Sequence, residues 1–297
     1  MASKLNLWFA FVVSSVVLVG CSSNANTMVL ICDPPEHLDC ARADLSGADL
    51  TRTNLTGANM MNANLTNANL TNANLTNANL TGALLMSANL NGTYLKGANM
   101  TGANMTGAYL YNANDALENY RCANLNGAYL TGANLTQANL VDVDLYGVNL
   151  NGAYLYNANL VGAKLKCAKL TGAYLTGANL TNAELVRANM TRANLVDANM
   201  WKTFLLDADL SNADLTGADL SYASLSGANL YWADLSGANL NHASLFQANL
   251  TYANLFFANL SSADLDSANL TGANMVRENL TGTSLTGATM PDGTIHK

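Results

Sequence analysis

A leucine or methionine recurs at every fifth residue from Leu45 to Met290, in one unbroken phase. Only Asp115 and Tyr120 depart from this phase in fifty positions, and the residue two before it is alanine in forty-two of the fifty. On an α-helix such leucines would lie about 140° apart and scatter around the circumference. On a flat strand they would face opposite sides in turn. A chain that buries all of them must turn a corner every five residues and wind into a solenoid.

Each side of this solenoid has an inward alanine and an inward leucine two residues apart, which is the period of an extended strand. The other three residues face outward, and glycine or asparagine falls near the corners, as at Gly47, Gly57, Asn62 and Gly82. These residue types tolerate the unusual φ and ψ angles that corners need. The repetition therefore predicts an all-β chain in spite of its many alanines and leucines.

The repeated unit, Ala-(Asn/Asp)-Leu-(Thr/Ser)-(Gly/Asn), resembles the motif of the pentapeptide-repeat family over residues 41–290. The resemblance implies a right-handed quadrilateral β-helix in which four pentapeptides form one coil, and hence about 12 coils. At about 4.8 Å per coil the rod would rise roughly 60 Å. Outward aromatic pairs twenty residues apart agree with stacked coils, and the pairs are Tyr109 with Tyr129, Tyr154 with Tyr174, and Trp232 with Tyr252.

Composition limits the classes of ligand. The net charge is −7, from 20 acidic and 13 basic residues, and the cations form no stripe that could neutralise a phosphate backbone. Nucleic-acid binding is therefore disfavoured. A narrow interior of leucine and alanine leaves no room for a cofactor, so none is predicted. The outward asparagines are expected to form amide ladders between coils.

Residues 1–20 are typical of an export signal, with Lys4 followed by an apolar run that is short for a membrane span. The end of this run, Leu-Val-Gly-Cys, resembles the bacterial lipobox, which implies that Cys21 is acylated and becomes the first residue of the mature chain. The alternatives are an uncleaved signal anchor and an ordinary signal peptide. The expected location is the bacterial cell envelope, and Ser22 favours the outer membrane if the source is diderm. Residues 21–40 would form a linker and an N-terminal cap.

The remaining cysteines suggest one bridge. Cys32 and Cys40 flank a short proline-containing segment and are a candidate disulfide that would brace the cap. A metal site that adds His37 is the alternative, although this spacing fits no common site. Cys122 and Cys167 lie more than two coils apart, so we expect free thiols there.

The motif fails over residues 111–122, where Asp115 and Glu118 stand at positions that belong to apolar groups. An ionised carboxylate would not remain in a leucine column, so this half-coil is expected to bulge outward, and Leu117 would help to fill the gap. It is either a tolerated irregularity or a partner-binding element. The candidate partner-binding residues there are Asp115, Leu117, Glu118, Tyr120 and Arg121. A second inward acid, Glu278, lies near the end of the repeats, and residues 291–297 form a tail that ends the ladder.

Outward aromatic residues concentrate between Trp201 and Phe257. Such clusters can mark interfaces or sugar-binding platforms. Here they fall on several sides of the coil, so a single contiguous patch is not expected. Tyr231, Trp232 and Tyr252 are the best candidate contact, and the alternative is a stacking ladder that only stabilises the coils.

No nucleophile or metal motif surrounds the three histidines, so the sequence does not predict an enzyme. The first hypothesis is a scaffold or interaction rod, anchored to the membrane by an N-terminal lipid, with an unidentified protein partner and an undetermined oligomeric state. The second is mimicry of DNA, because some members of the resembled family protect DNA gyrase with an acidic rod. A third is carbohydrate or cell-wall binding through the aromatic columns.

Overall fold

The computed structural model describes residues 38–110, 125–277 and 279–297, which form a four-sided parallel β-solenoid. Every fifth residue bridges the residue twenty positions further along, as in Asp44 with Asn64 and Asn179 with Asn199. Four such bridges fall within each twenty residues, so each coil has four sides. The described residues include no helix and no strand longer than a single bridging residue.

The corners are tight turns with one left-handed residue each. The Ala48 amide donates to the carbonyl of Leu45 over 3.1 Å, which closes a four-residue turn, and Gly47 has φ of +67°. A positive φ at the third residue alone is what a type II turn requires. Gly57, Asn62 and Gly82 have φ of +69°, +56° and +66°. The predicted corner positions are therefore confirmed.

Hydrogen bonds between coils replace those of conventional strands. In the pentapeptide around Leu155, the Tyr154 amide donates to Ala133 of the preceding coil over 2.9 Å. The amides of Leu155 and Asn157 donate to Tyr174 and Thr176 of the following coil over 2.7 and 3.0 Å. Since a buried amide needs a partner, this alternation makes each coil depend on both neighbours.

The inward alanines and leucines form one continuous core. Almost all of them between Ala58 and Leu270 are completely buried. Three threonines occupy buried alanine positions, namely Thr53, Thr93 and Thr203. The Thr203 hydroxyl donates to the carbonyls of Met200 and Leu180 over 2.7 and 3.0 Å, so its polar group is satisfied inside the apolar column.

The coil register changes once, on either side of residues 111–124. Asn99 bridges Tyr129 and Tyr109 bridges Asn139, so the partners there are thirty residues apart instead of twenty. The predicted pairing of Tyr109 with Tyr129 is therefore wrong. Tyr129 therefore continues the column of Asn99, with ten more residues between them than between other bridged pairs.

The tail closes one side of the last coil. Thr289 and Ile295 form an antiparallel bridge, and the Gly287 amide donates to the carbonyl of His296 over 2.8 Å. Pro291 lies in the turn of this hairpin and has no amide proton to donate. The tail thus ends the parallel ladder on this side, as predicted, by folding back on it. Glu278 lies outside the described residues.

Candidate interaction surface

Three outward rings gather at one corner of the solenoid. Trp232 and Tyr252, in successive coils, stack with their centroids 5.2 Å apart and an interplanar angle of 29°. Tyr231 meets them edge-on, with centroids 6.4 Å from Trp232 and 6.1 Å from Tyr252. The predicted stacking of Trp232 on Tyr252 is confirmed. These three rings are the aromatic corner.

The aromatic corner is built at positions of positive φ, which glycine adopts at the lowest cost. Trp232 has φ of +56° and Tyr252 has φ of +57°, in the left-handed region. A bulky side chain there costs about 1–2 kcal/mol relative to its preferred conformation. The two side chains are nevertheless 55% and 45% exposed. Burial in the core therefore does not explain why aromatic residues occupy these positions.

A second group of rings lies two sides away along the chain, at the opposite corner. Tyr222 stacks on His242 with centroids 4.8 Å apart, and Trp201 meets Tyr222 edge-on at 6.5 Å. The Lys202 ammonium lies 4.2 Å from the centroid of Trp201. The outward aromatic residues thus divide into separate groups, as expected, and His242 belongs to one of them although the sequence did not single it out.

A further stack is formed by tyrosines. Tyr154 and Tyr174 are nearly parallel, with an interplanar angle of 7° and centroids 5.1 Å apart, so their predicted pairing is confirmed. Tyr156 joins them, with its centroid 5.8 Å from that of Tyr174. These contacts link successive coils, as stacking ladders do.

The Tyr252 ring contacts the coils on both sides of its own. Trp232 stacks on one side. In the following coil a Cβ added at Gly272 would lie 2.5 Å from two ring carbons of Tyr252, Cδ1 and Cε1, so one edge of the ring lies close to this glycine. A sugar that stacks on a protein ring needs a free ring face. The stack on Trp232 therefore removes one face of Tyr252 from sugar stacking.

The outward asparagines form the expected amide ladders, and aspartates lie at the start of them. Asn239 donates to the Asp219 carboxylate over 3.0 Å, and Asn259 donates to Asn239 over 3.1 Å. Asn254 donates in the same way to Asp234 over 3.1 Å. These carboxylates are therefore acceptors within the rod as well as surface charges.

The other predicted sites can be located only in part. Cys40 is disulfide-bonded, but its predicted partner Cys32 lies outside the described residues, so that pairing stays a prediction. Cys167 is a half-buried free thiol. Of the remaining candidates, Cys21, Asp115, Leu117, Glu118, Tyr120 and Arg121 all lie outside the described residues.

Two absences concern only the part of the chain that the structure describes. Within it, no helix has the length and apolar character that crossing a membrane requires. Within it also, no cluster of histidine, cysteine and acidic side chains has a metal-binding arrangement.

Comparison with solved structures finds similar repeat proteins. HetL from Nostoc sp. strain PCC 7120, a pentapeptide repeat protein involved in heterocyst differentiation regulation, is 38% identical, with 77% of this chain and 91% of HetL covered and a TM-score of 0.39. A pentapeptide repeat protein from the Arabidopsis thaliana thylakoid lumen is 34% identical over 31% of this chain and 64% of its own, with a TM-score of 0.31. QnrB1, a plasmid-mediated fluoroquinolone resistance protein, is 18% identical over 58% of this chain and 85% of its own, with a TM-score of 0.33.

A search of curated proteins found no match. A family model described as pentapeptide repeats matches in eight copies, over residues 43–82, 78–114, 121–162, 153–192, 193–231, 228–266 and 263–292. Solved members of this family are right-handed quadrilateral β-helices. The five-residue core period and the four-sided coil agree with this match, and the chain belongs to the pentapeptide-repeat family.

Proposed function

We propose that this protein is a non-enzymatic interaction rod of about twelve right-handed coils, held at the bacterial cell envelope by a lipid on Cys21. Its partner would be another protein, which binds the outer surface of the solenoid. Homologous pentapeptide repeat proteins are generally structural or interaction proteins, which supports the non-enzymatic part. The lipobox-like sequence that ends at Cys21 supports the anchor.

The aromatic corner carries this proposal. Exposed aromatic side chains at left-handed positions destabilise the free chain relative to glycine, which occupies twenty equivalent corner positions in the described repeats. Tryptophan and tyrosine are the residues that dominate binding energy at protein interfaces. A contact with a partner would offset the cost of this placement.

The interaction can be tested with a photo-crosslinking amino acid in place of Trp232 in intact envelopes. The matched control replaces Gln137, which is also exposed and has φ of +57°. The proposal expects an adduct with a different protein from position 232 and none from position 137. Equal labelling at the two positions, or adducts only between copies of this chain, would contradict the proposal that a different protein binds the aromatic corner.

The anchor can be tested separately by metabolic labelling with a palmitate analogue. The wild-type chain is expected to take up the label and Cys21→Ala is expected to lose it. Cys167→Ser is the control, because it removes another thiol without touching the signal. Labelling that persists in Cys21→Ala would show that the acylated group is elsewhere.

The second candidate function is DNA mimicry, which the charge distribution favours only in one region of the rod. Between Lys202 and Arg277 the charged residues are all aspartates, at positions 207, 209, 214, 219, 234, 264 and 266. An acidic stretch of this kind could imitate phosphates. A supercoiling assay with purified gyrase tests it: inhibition or protection by the mature protein would support mimicry, and no effect at micromolar concentration would exclude it.

A further inference from the structure

The corner that carries the aromatic residues has no side chain over it from Gly102 to Gly172. It is occupied in order by Gly82, Gly102, Gly132, Gly152, Gly172, Arg192, Asn212, Trp232 and Tyr252, and each amide donates to the next coil. A Cβ built at the four glycines from Gly102 to Gly172 would meet nothing within 4 Å. The same edge of the rod therefore has an open strip and, after two intervening coils, a ridge of rings.

The side of the rod that precedes this corner is divided by charge. Lys169, Arg187 and Arg192 lie on it or at its edges in two successive coils, and the next coil carries Asp207 and Asp209. Arg187 and Asp207 lie 3.6 Å apart, with side chains 68% and 49% exposed. Both are accessible to another molecule.

These features are self-complementary in an antiparallel arrangement. The antiparallel arrangement has a twofold axis in the plane of this side and perpendicular to the rod. The axis passes between the coil of Arg187 and the coil of Asp207. This axis places Arg187 opposite Asp207 of the second copy. The reason is that a coil on one side of the axis faces the second copy's coil that lies equally far on the other side. On the corner the axis places Gly172 opposite Trp232 of the second copy, and Gly152 opposite its Tyr252. The rings would thus lie along the open glycine strip.

A parallel arrangement is less favourable. A twofold axis along the rod would place every coil opposite its own copy, so that Lys169 would face Lys169 of the second copy. It would also bring Arg187 opposite Arg192 of the second copy. Like charges directly opposed are destabilising.

We propose that this side and its corner form a homodimer interface, with a second copy of the chain bound antiparallel. The ion pairs of Arg187 with Asp207 fix the register, and Trp232 and Tyr252 pack on the glycines. The second copy would occupy the aromatic corner in place of the partner protein proposed above, so adducts at position 232 that join only copies of this chain would favour the dimer over that partner. The lipid anchor does not depend on this interface. The interface needs only the described residues of the rod.

Charge reversal tests the register by sedimentation velocity of the full chain, whose monomer mass is 31.2 kDa. Arg187→Asp should weaken dimerisation roughly tenfold or more, since it opposes like charges twice across the twofold axis. Adding Asp207→Arg should restore it, because the reversed pair is again complementary. Lys202→Asp, which lies away from this side, is the control. A monomeric wild type at low salt, or a double variant no better than the single, would overturn the proposal.

The rings are tested with Trp232→Gly and Tyr252→Gly, which suit positive φ and so keep the coil intact. Each should weaken dimerisation while the unfolding midpoint stays near that of the wild type. A cross-linking variant with Thr171→Cys and Tyr231→Cys, in a Cys167→Ser background, should form covalent dimers, because these positions face each other across the axis. The pair Thr131→Cys and Tyr231→Cys is two coils out of register, about 10 Å, and should not. Equal cross-linking of both pairs would exclude this interface.

Discussion

Asn239 donates its side-chain amide to the carboxylate of Asp219 in the preceding coil, over 3.0 Å. The Asp219 carboxylate also accepts the Ser221 amide over 3.0 Å and the Ser221 hydroxyl over 2.6 Å. One outward side chain therefore closes its own turn and joins the next coil. This double role accounts for asparagine and aspartate at the bridging position and for threonine or serine two residues later.

Asp214 and Asp234 break this rule, because they bridge each other in successive coils and neither can donate. Asp234→Asn is therefore expected to stabilise the protein at neutral pH by about 1 kcal/mol. The new amide can donate to Asp214, and its oxygen can still accept from Asn254 and Ser236. The free energy of unfolding in urea measures the gain. The reverse change, Asn239→Asp, should lower stability. If both variants changed the free energy of unfolding in the same direction, the proposed role of the amide ladder would be wrong.

Alanine substitutions at two glycines with the same backbone conformation distinguish two losses of stability. One comes from the left-handed backbone, and the other from displacing the Tyr252 ring. Gly237 and Gly272 have φ of +68° and +69°, but only Gly272 lies under a side chain, that of Tyr252. Gly237→Ala should cost about 1 kcal/mol, from the left-handed backbone alone. Gly272→Ala should cost roughly 1 kcal/mol more, because the ring must leave its stack on Trp232.

Chemical denaturation of the two alanine variants makes this comparison. In a Tyr252→Gly background the difference between them should disappear, since no ring remains to be displaced. A difference that persists in that background would mean that Tyr252 does not cause it.

The core could be predicted from the sequence because burial alone selects the inward positions, and Leu155 and its equivalents have no other way to leave water. The register change between Asn99 and Tyr129 could not be predicted from the same signal. An interruption of ten residues is a multiple of five, so the leucine phase is the same before and after it. Asp115 and Tyr120, the two departures from that phase, were the available clue.

The candidate site was predicted less completely than the core. Trp232 and Tyr252 could be paired because they are twenty residues apart on one side of the register change. Tyr222 and His242 have the same spacing and stack in the same way, but a pattern of phenylalanine, tyrosine and tryptophan does not include histidine. The open glycine strip depends on which side chain covers each corner, and this requires coordinates.

Acid should weaken the fold at its exposed aspartates. The pKa of Asp49 is lowered because the Thr51 hydroxyl and then the Thr51 amide donate to the carboxylate. The pKa values of Asp44 and Asp292 are lowered in the same way by Ser46 and Thr294. A carboxyl whose folded pKa is depressed contributes stability above its unfolded pKa of about 3.9, and this contribution is lost as the pH falls through the folded value.

The unfolding midpoint is therefore expected to be steady above about pH 5 and to fall below about pH 4. Asp49→Asn should make that fall shallower, because an amide oxygen accepts the same bonds from Thr51 without titrating. Denaturant titrations at several pH values measure the slope. An identical slope in the variant and the wild type would show that Asp49 does not contribute.

A charge at an inward position is expected to cause the largest loss of stability. Leu155 is completely buried in the core, and the backbone of its coil depends on hydrogen bonds to both neighbours. Leu155→Asp should cost about 3 kcal/mol or more, because it places an unpaired charge in an apolar column. Thr176→Ser is the control in the next coil, since serine keeps the hydroxyl that donates to Asn194 over 2.7 Å. It should change stability by less than about 0.5 kcal/mol. Because stacked coils stabilise one another, Leu155→Asp should also speed amide hydrogen exchange in the adjacent coils. If Leu155→Asp and Thr176→Ser had the same denaturation midpoint, Leu155 would lie outside the core.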